Sequence, residues 1–444
     1  ALRWRPWRNR TVSARNGRVE DHRRHTALVR ARDRLPGYER WLRDEGWAPS
    51  AGWPPPVVSK EALFGDGLAA WFPPGPIVGA REVITSSGHG GRFSLGLVAP
   101  GVAEELGAQV DGILAELGAD DDAPGMLVNC LPQGIAVPAG RAVTANCGVN
   151  VDAALALLRD VAPRQGPCLL VGEPLLLKEL IERGAATGTG WAPERMIVVT
   201  GGEWVAEGLR RHLLALLPPG GAGILVSCGA AELGLHAFAE DPVLRALRLL
   251  LHEQPELRRR LLGDDPGFAP LLLGYDDGVL AVESGSSEEP RLIVTTLDDR
   301  PLPLVRYDLG DRARPVDPSA AEALAAAVGL PVSPASGLIA HEGRADPSPG
   351  AARGPRVEAV KEALFDLPEW AFALTGRFAL TVGDDGVGLD VERHDPPPPG
   401  ALIPDTKVLR DRLGVGRIRF LPAEEFPHHS GGHGRKPQYR QELR

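Results

Sequence analysis

Short apolar runs alternate with amphipathic stretches in the middle of the chain, between residues 125 and 227. The apolar runs predict strands at 126–128, 169–171, 196–199 and 224–226. The stretches between them predict helices at about 151–161, 174–183 and 204–217. Strands that are apolar on both faces and alternate with helices are typical of a parallel sheet covered on both sides. We therefore predict an α/β fold class.

Polar loops follow three of these strands, at 129–134, 200–203 and 227–232. In parallel sheets, ligands bind beyond the carboxyl ends of the strands. The ligand pocket should draw on residues 129–134, 200–203 and 228–236, which are small or polar, with no cation clearly aimed at a second charge on the ligand. We therefore expect the binding site to lie at this edge of the sheet.

The regions on either side of residues 125–227 have a different sequence pattern. Helices are predicted at 20–34 and 38–44, and Ser59 is a good N-cap for a short helix that follows it. Beyond residue 270 the pattern predicts hairpin strands at 279–282 and 292–296, then a short strand that runs into a glycine–aspartate turn at 310–311. A segment weak in regular structure leads to a proline-, serine- and glycine-rich linker at 347–350. The last hundred residues predict a small α+β domain, with helices at 355–365 and 406–413 and strands near 371–382, 388–392 and 417–421.

Composition narrows the class of protein. A chain of 444 residues exceeds one ordinary core, so two or three domains are expected. The net charge of −9 argues against a nucleic-acid binder, although the first 34 residues are rich in arginine. The four cysteines are widely spaced, as in a reduced intracellular protein rather than a disulfide framework or zinc site. No apolar run is long enough to span a bilayer and no signal peptide opens the chain, so we expect a cytoplasmic protein.

A glycine-rich loop follows a predicted strand at 81–85, and it reads Thr85-Ser86-Ser87-Gly88-His89-Gly90-Gly91-Arg92. Glycines let the backbone adopt positive φ and approach a ligand closely. Successive backbone N–H groups in such a turn form an anion site, to which serine and threonine hydroxyls add donors. The loop therefore predicts phosphate binding. A P-loop kinase or ATPase is excluded, because the Gly-x-x-x-x-Gly-Lys-Ser/Thr motif is missing.

Together with four later motifs, this loop resembles the adenylate-forming ligases, most closely the phenylacetate–CoA ligase branch. The resemblance covers nearly the whole chain and rests on the order of the five motifs. After the loop they are Gly201-Gly202-Glu203, Cys228-Gly229-Ala230-Ala231-Glu232, Leu304-Val305-Arg306-Tyr307-Asp308-Leu309-Gly310-Asp311 and Gly343-Arg344-Ala345-Asp346.

The resemblance implies a two-domain architecture. A large N-terminal adenylation domain over residues 1–343 would contain mostly parallel sheets flanked by helices and a distorted β-barrel portion. A small, mobile C-terminal α+β domain would cover residues 344–444. Asp346 would be the hinge about which the small domain rotates between the two half-reactions.

The resemblance also implies ATP-dependent activation of a small carboxylic acid, aryl or related. The substrate carboxylate would attack the α-phosphorus of ATP to give an acyl-adenylate and pyrophosphate, and the thiol of coenzyme A would then attack the activated carbonyl. ATP, Mg²⁺ and coenzyme A are thus the implied cofactors and co-substrate. The implied partner is the small acid, with neither nucleic acid nor membrane, and a homodimer is suggested by the resemblance alone.

The resemblance assigns roles residue by residue. Asp311 would accept hydrogen bonds from the ribose hydroxyls, Arg344 would support the ribose or the phosphates, and Glu232 would hold Mg²⁺. The implied nucleotide-binding set comprises Thr85, Ser86, Ser87, Gly88, Gly91, Arg92, Gly201, Gly202, Glu203, Cys228, Gly229, Asp311 and Arg344. The implied catalytic residues are Lys436, Glu232 and Arg344. Lys436, one of five lysines in the chain, would reach the α-phosphate, and Arg435 could serve instead.

Several positions depart from the family pattern. His89 and Gly90 replace two hydroxyl residues, and Arg92 replaces a lysine, although arginine can clamp a phosphate bidentately. Cys228 and Ala231 replace an aromatic residue and a threonine. These departures leave a second hypothesis open: a diverged member that transfers the acid to an amine in secondary metabolism, or that only binds a nucleotide or a partner.

Two further interpretations were weighed. His89-Gly90-Gly91 is superficially similar to the oxyanion-hole loop of an α/β-hydrolase, but the chain contains no Gly-x-Ser-x-Gly nucleophile elbow. His428, His429 and His433 could bind a transition metal, although a solvated cluster is the simpler interpretation of a loop rich in glycine and serine.

Overall fold

The computed structural model describes residues 17–86, 93–132, 134–221, 223–263, 265–286, 289–331, 333, 335–345, 354–383, 386–426 and 439–442. Three sheets of two, eleven and four strands lie within these ranges, and helices pack against the larger two. The predicted α/β fold class is confirmed. No helix in the described part of the chain is both long and apolar enough to cross a membrane.

The elements are numbered in chain order. The helices are α1 (Gly17–Arg34), α2 (Pro36–Asp44), α3 (Lys60–Phe64), α4 (Val102–Glu116), α5 (Val151–Asp160), α6 (Ala162–Gln165), α7 (Pro174–Ala186), α8 (Glu207–Leu216), α9 (Pro242–Glu253), α10 (Pro255–Leu262), α11 (Pro318–Ala327), α12 (Val357–Leu364), α13 (Pro368–Ala373) and α14 (Thr406–Leu413). The strands are β1 (Glu82–Thr85), β2 (Leu95–Val98), β3 (Met126–Cys130), β4 (Val143–Asn146), β5 (Cys168–Gly172), β6 (Met196–Gly201), β7 (Gly223–Ala230), β8 (Gly234–Ala239), β9 (Leu271–Tyr275), β10 (Leu280–Ser284), β11 (Arg291–Thr296), β12 (Tyr307–Pro315), β13 (Gly337–Arg344), β14 (Leu374–Gly383), β15 (Gly386–Arg393), β16 (Arg417–Pro422) and β17 (Arg440–Glu442).

Half of the large sheet is parallel, in the order β7-β6-β5-β3-β4. Because successive side chains point to opposite faces of a strand, alternate residues enter two different cores. Val128, Leu170 and Val198 pack in the core that contains residues of α5, α7 and α8. Leu127 and Leu169 enter a second core with residues of α4 on the other face. The parallel sheet and its helices therefore lie where the apolar periodicity predicted them.

The other half of the sheet is antiparallel and continues the same ladder, in the order β10-β11-β12-β13-β9-β8. A single residue pair, Ala239 with Gly274, joins β8 to β9. The predicted turn at 310–311 is wrong, because β12 runs on through these residues to Pro315. Gly310 has φ of 77°, which suits glycine, and the register with β13 shifts just afterwards. The strand continues through this bulge, and Asp311 is therefore paired within the sheet.

This antiparallel half is strongly curled. Cys228 on β7 and Asp311 on β12 are separated in the ladder by β8, β9 and β13. Four inter-strand spacings would place flat strands about 19 Å apart. The Cys228 Sγ atom and a carboxylate oxygen of Asp311 nevertheless lie within 4.8 Å of each other. The curl thus matches the distorted barrel portion expected from the resemblance, and it closes the candidate site.

The segment between β12 and β13 is more regular than predicted. The sequence predicts little regular structure after β12, and this prediction is wrong. The structure shows helix α11 there, followed by strand β13. Alanine is the best helix former, and six of the ten residues of α11 are alanines. Asp317 caps the helix by accepting a hydrogen bond from the Ser319 backbone N–H.

The C-terminal elements build a small α+β unit with its own core. Its sheet has the order β16-β15-β14-β17, with α12 and α14 packed against it. Val360, Phe378 and Leu409 are among the buried residues of this core. The short helix α13, at the start of the predicted strand near 371–382, was missed. The unit contacts the large sheet's helices closely: a Cβ on Gly208 of α8 would lie 1.8 Å from the Phe365 carbonyl oxygen.

A buried ionic network connects α8 and α9 with α12. Arg248 lies 3.0 Å from a carboxylate oxygen of Glu207 and 3.5 Å from one of Glu362. The backbone N–H of Glu207 donates to both carboxylate oxygens of Glu362, at 3.2 Å each. His252 lies 3.8 Å from the same carboxylate. Burial raises the pKa of Glu362 to about 7, against the opposing charge of Arg248.

This network predicts a pH-dependent stability. The carboxyl of Glu362 binds a proton more tightly in the folded chain than in the unfolded one, so its contribution is fully present below about pH 4.5 and is lost as the pH rises through about 7. The free energy of unfolding should fall by up to about 3 kcal/mol across that window because of this group. Denaturant titrations of the wild type and of Glu362→Gln, repeated across this pH window, give the slope of unfolding free energy against pH for each protein. Glu369→Gln, at an exposed carboxyl on α13, is the control. Equal slopes in wild type and Glu362→Gln would contradict the assignment.

Candidate functional site

The site centres on a cross-strand pair at the end of β12 and β13. Asp311 and Arg344 are register partners in the antiparallel ladder. The Arg344 Nη1 atom lies 3.0 Å from Asp311 Oδ1, with the guanidinium side chain 61% exposed and the carboxylate 14% exposed. The nearby charge of Asp311 raises the pKa of Arg344. A cation that reaches solvent beside a shielded carboxylate can bind phosphate and hydroxyl groups of one ligand.

A buried carboxylate lies close to this pair. Glu232 occupies the turn between β7 and β8, and its side chain is 1% exposed. Its Oε1 atom accepts a 2.8 Å hydrogen bond from the Tyr307 hydroxyl and lies 3.5 Å from Lys60 Nζ. Its Oε2 atom is buried and has no hydrogen-bond partner among the described residues. Burial, together with the charge of Glu232, raises the pKa of Tyr307 well above its usual value.

The turn that carries Glu232 is held by the small sheet of β1 and β2. A Cβ on Gly96 of β2 would lie 1.6 Å from the carbonyl oxygen of Ala231 and 3.2 Å from the backbone nitrogen of Glu232. A side chain at this position would therefore clash with backbone, which cannot move aside as a flexible side chain can. Glycine at position 96 is needed so that the two backbones can approach.

Gly96→Ala should consequently displace the turn and destabilise the fold. Overpacking of this kind costs about 1–3 kcal/mol of unfolding free energy. The matched control is Gly112→Ala on α4, where an added Cβ meets open space and the helix should gain about 0.5–1 kcal/mol. Urea titrations of the two variants give both values. Equal stability of Gly96→Ala and the wild type would show that the turn tolerates the displacement.

Several predicted site residues come together here. The charges of four neighbouring residues raise the pKa of Arg344. They are Asp311 and Tyr307 on β12, Cys228 on β7 and Glu232 in the β7–β8 turn. Cys228, Asp311 and His341 also bring one ligand atom each within 4.8 Å of one another. Gly229 follows Cys228 on β7, where a Cβ would lie 2.4 Å from the Gly234 carbonyl oxygen of β8. The third and fourth of the resembling motifs thus meet in space with Arg344 of the fifth.

The Gly201-Gly202-Glu203 motif lies at the carboxyl end of β6, as predicted, and Gly201 is the last residue of the strand. Gly201 pairs with Ser227 at the edge of the sheet, and Gly202 has φ of 87°. The carboxylate of Glu203 is contacted from the C-terminal unit. Its Oε2 atom accepts hydrogen bonds from Lys361 Nζ at 2.9 Å and from the Tyr439 hydroxyl at 2.8 Å. In this arrangement Glu203 ties the edge of the large sheet to the C-terminal unit.

The glycine-rich loop is described only at its start. Thr85 ends β1, and Ser86 exchanges hydrogen bonds with Ser94: its backbone N–H donates to the Ser94 carbonyl at 3.0 Å, and its hydroxyl accepts from the Ser94 backbone N–H at 2.8 Å. The remaining predicted residues of the loop, the hinge and the lysine segment lie outside the described residues. They are Ser87, Gly88, His89, Gly90, Gly91, Arg92, Asp346, His428, His429, His433, Arg435 and Lys436.

Three contributors were not predicted as site residues. Tyr307 was named only as part of its motif and was given no role in the site, yet its hydroxyl donates to Glu232. Lys60 was noted only as part of the helix capped by Ser59, although the scarcity of lysine in the chain was a signal worth following. His341 lies in β13 and belongs to no motif, so no pattern in the sequence pointed to it.

The residues of the site fit the groups that the resemblance implies. The orphaned Oε2 atom of Glu232 is a buried carboxylate oxygen, the type of ligand that Mg²⁺ prefers. Asp311 offers a carboxylate to hydroxyl groups, and Arg344 offers an exposed guanidinium to phosphate. The site thus offers an acidic and a basic group, 3.0 Å apart, to a single ligand.

No protein-family model matches the sequence, and no curated protein matches it. The structure is similar to solved structures of coronafacic acid ligase from Pectobacterium brasiliense (12% identity, 68% of this chain and 56% of that chain, TM-score 0.38) and of a mutant form of it (12%, 65% and 51%, 0.37). It is also similar to an acyl-CoA synthetase from Brucella canis (18% identity, 76% of this chain and 60% of that chain, TM-score 0.36). The chain spans about half to three fifths of the length of these proteins.

Proposed function

We propose that this chain activates a small carboxylic acid by adenylation with ATP and releases pyrophosphate. The observation that carries the proposal is the convergence of Asp311, Arg344 and Glu232, which come from three separate motifs, at one curled edge of the sheet. A lone carboxylate after a strand would be an ordinary turn residue. An ordered set of motifs whose charged members meet is not expected of unrelated structural positions.

The chemistry follows from the charges of these groups. An oxygen of the acid's carboxylate attacks the α-phosphorus of ATP, the bond to the bridging oxygen breaks, and pyrophosphate leaves with the electron pair. Asp311 accepts hydrogen bonds from the ribose hydroxyls and thereby fixes the nucleotide. Arg344 neutralises charge on the α-phosphate as it develops. Glu232 would hold Mg²⁺, and the ion would supply neutralisation of the phosphate charge.

We further propose that residues 344–444 act as a mobile domain with its hinge at Asp346. The separate core built from residue 357 onward supports this boundary. In the arrangement described here, Tyr439 and Lys361 are bound to Glu203, at the edge of the large sheet. Tyr439 follows Lys436 by three residues, so this contact supports delivery of the Lys436 segment to the adenylation site.

The second half-reaction transfers the acyl group to a thiol, for which we propose coenzyme A. The small or polar residues of segments 129–134, 200–203 and 228–236 suit a small acid, aryl or related. Incubation with ATP, Mg²⁺, a panel of acids, and either coenzyme A or an amine identifies the acceptor by mass spectrometry of the product. A thioester supports coenzyme A; an amide formed only with the amine supports the diverged alternative; neither product with any acid contradicts the ligase.

Lys436→Ala should lower the rate of adenylation by more than tenfold while leaving ATP affinity nearly unchanged. The reason is that a lysine delivered to the α-phosphate stabilises charge that develops only in the transition state. Single-turnover kinetics and calorimetry separate the two effects. Lys407→Ala, at an exposed lysine on α14, is the control. An unchanged rate in Lys436→Ala would transfer the role to Arg435.

A further inference from the structure

A second ligand chemistry is present at the same edge of the sheet. Cys228, Asp311 and His341 each bring one potential metal ligand, a thiol sulfur, a carboxylate oxygen and an imidazole nitrogen, within 4.8 Å of one another. They come from β7, β12 and β13, so only the curl of the sheet makes them neighbours. Among the described residues, these three form the only such group of histidine, cysteine and acidic side chains.

His341 is the residue that points to a ligand. Its side chain is 8% exposed, and neither ring nitrogen has a hydrogen-bond partner among the described residues. A buried imidazole without a partner is unfavourable, and such groups are rare in native proteins. The Nε2 atom lies 3.6 Å from Asp311 Oδ2, too far for a hydrogen bond. The Nε2 atom therefore lies near the carboxylate, at a separation longer than a hydrogen bond.

That spacing fits a metal ion. With zinc bond lengths of about 2.0–2.1 Å to nitrogen and about 2.0–2.2 Å to oxygen, two ligands of a tetrahedral ion lie about 3.4 Å apart. The separation of 3.6 Å between His341 Nε2 and Asp311 Oδ2 is close to this value. The other oxygen of Asp311, Oδ1, is the one that contacts Arg344. One carboxylate can thus serve the guanidinium and a metal at the same time.

From this geometry we propose that Cys228, Asp311 and His341 bind a single Zn²⁺ ion, with water in the fourth position. Thiolate and imidazole ligands select a borderline-soft transition metal over Mg²⁺ or Ca²⁺, which prefer oxygen ligands alone. Binding releases the thiol proton of Cys228 to solvent. The neighbouring carboxylate of Glu232 and the thiolate together offset the positive charge of Arg344.

The test uses the full chain, stripped of metal by a chelator and free of nucleotide. Co²⁺ is titrated as a spectroscopic substitute for Zn²⁺, and Zn²⁺ affinity is measured by competition with a chromophoric chelator. We expect one equivalent of Co²⁺ to give tetrahedral ligand-field bands and a thiolate charge-transfer band. Cys228→Ser should abolish the charge-transfer band, and His341→Gln should weaken Zn²⁺ binding by on the order of 100-fold or more.

Two controls keep the test decisive. Cys147→Ser removes a different half-buried thiol and should leave the bands unchanged, as should replacement of His428, His429 and His433 by glutamine. A charge-transfer band that survives in Cys228→Ser, or binding that is lost in the triple histidine variant, would overturn the proposal, as would a wild type that binds no Co²⁺. If Cys228→Ser does not fold, as judged by circular dichroism, His341→Gln alone decides. Asp311 is shared with the proposed nucleotide site, but this titration contains no nucleotide, so its outcome is independent of the ligase function.

Discussion

Asp311→Ala is expected to remove most of the affinity of this chain for adenosine nucleotides. A carboxylate that accepts two hydrogen bonds from the ribose contributes about 1.5–3 kcal/mol for each of them. Loss of both should weaken binding by about 100-fold or more. Removal of the carboxylate also leaves Arg344 without its 3.0 Å partner, which frees the guanidinium to move away from the phosphate position. Calorimetric titration with ATP and with adenosine measures the change.

The titration with adenosine isolates the ribose contact, because adenosine has no phosphates for Arg344 or Glu232. Asp317→Ala is the matched control, since this exposed aspartate follows β12 and only caps α11. It should lose about 1 kcal/mol of unfolding free energy and no nucleotide affinity. Adenosine affinity that is equal in Asp311→Ala and the wild type would remove Asp311 from the nucleotide site.

The largest loss of stability is expected for Arg210→Met. Arg210 on α8 and Glu240, at the end of β8, are both fully buried and form a bidentate pair, with Nη1–Oε2 at 2.7 Å and Nη2–Oε1 at 2.9 Å. Without the guanidinium, the carboxylate of Glu240 keeps one described donor, the backbone N–H of Val226 at 3.0 Å. An uncompensated buried charge of this kind costs about 3–5 kcal/mol of unfolding free energy. Denaturant titration measures the loss.

The double variant Arg210→Met with Glu240→Leu tests the reason for that loss. If the loss comes from the unpaired charge, removal of both partners should recover most of it, because apolar replacements of buried ion pairs are often neutral. The exposed pair of Arg159 and Asp160 provides a surface control, and Arg159→Met should change stability by less than about 1 kcal/mol. A double variant as unstable as Arg210→Met alone would attribute the loss to packing instead of charge.

The parallel half of the fold could be predicted because its signal is local. Leu127 and Val128 enter opposite cores, and their alternation within a short apolar run is visible in the sequence. The strand β12 was less predictable, since Gly310 is as typical of a turn as of a bulge within a strand. The helix α11 was missed although its alanines favour helix, because it is apolar on nearly every side and no polar face sets off the buried Ala321, Leu324 and Ala325.

The candidate site was predictable as a set of residues but not as an arrangement. The ordered motifs identified Asp311, Arg344 and Glu232. Their closeness depends on the register between β12 and β13 and on the curl that brings β7 towards β12, and neither property is encoded in a local pattern. The same limit applies to His341, which belongs to no motif and meets Cys228 only in the folded chain.

The contacts of Glu203 show how the site is coupled to the C-terminal unit. The carboxylate binds Lys361 of α12 and Tyr439, while Glu362, the next residue of α12, enters the buried network of α8 and α9. Rotation of residues 344–444 would have to break both sets of contacts. The network around Glu362 therefore contributes to the free-energy difference between the arrangement described here and the rotated one that the proposed mechanism requires.

The most direct test of the proposed function is acid-dependent exchange of labelled pyrophosphate into ATP, measured with a panel of aryl and alkyl carboxylic acids. The exchange reports formation of an acyl-adenylate without assuming an acceptor. We predict exchange with at least one small acid, strongly reduced in Asp311→Ala and retained in Asp317→Ala. Absence of exchange with every acid, together with no ATP binding by calorimetry, would contradict an adenylate-forming enzyme.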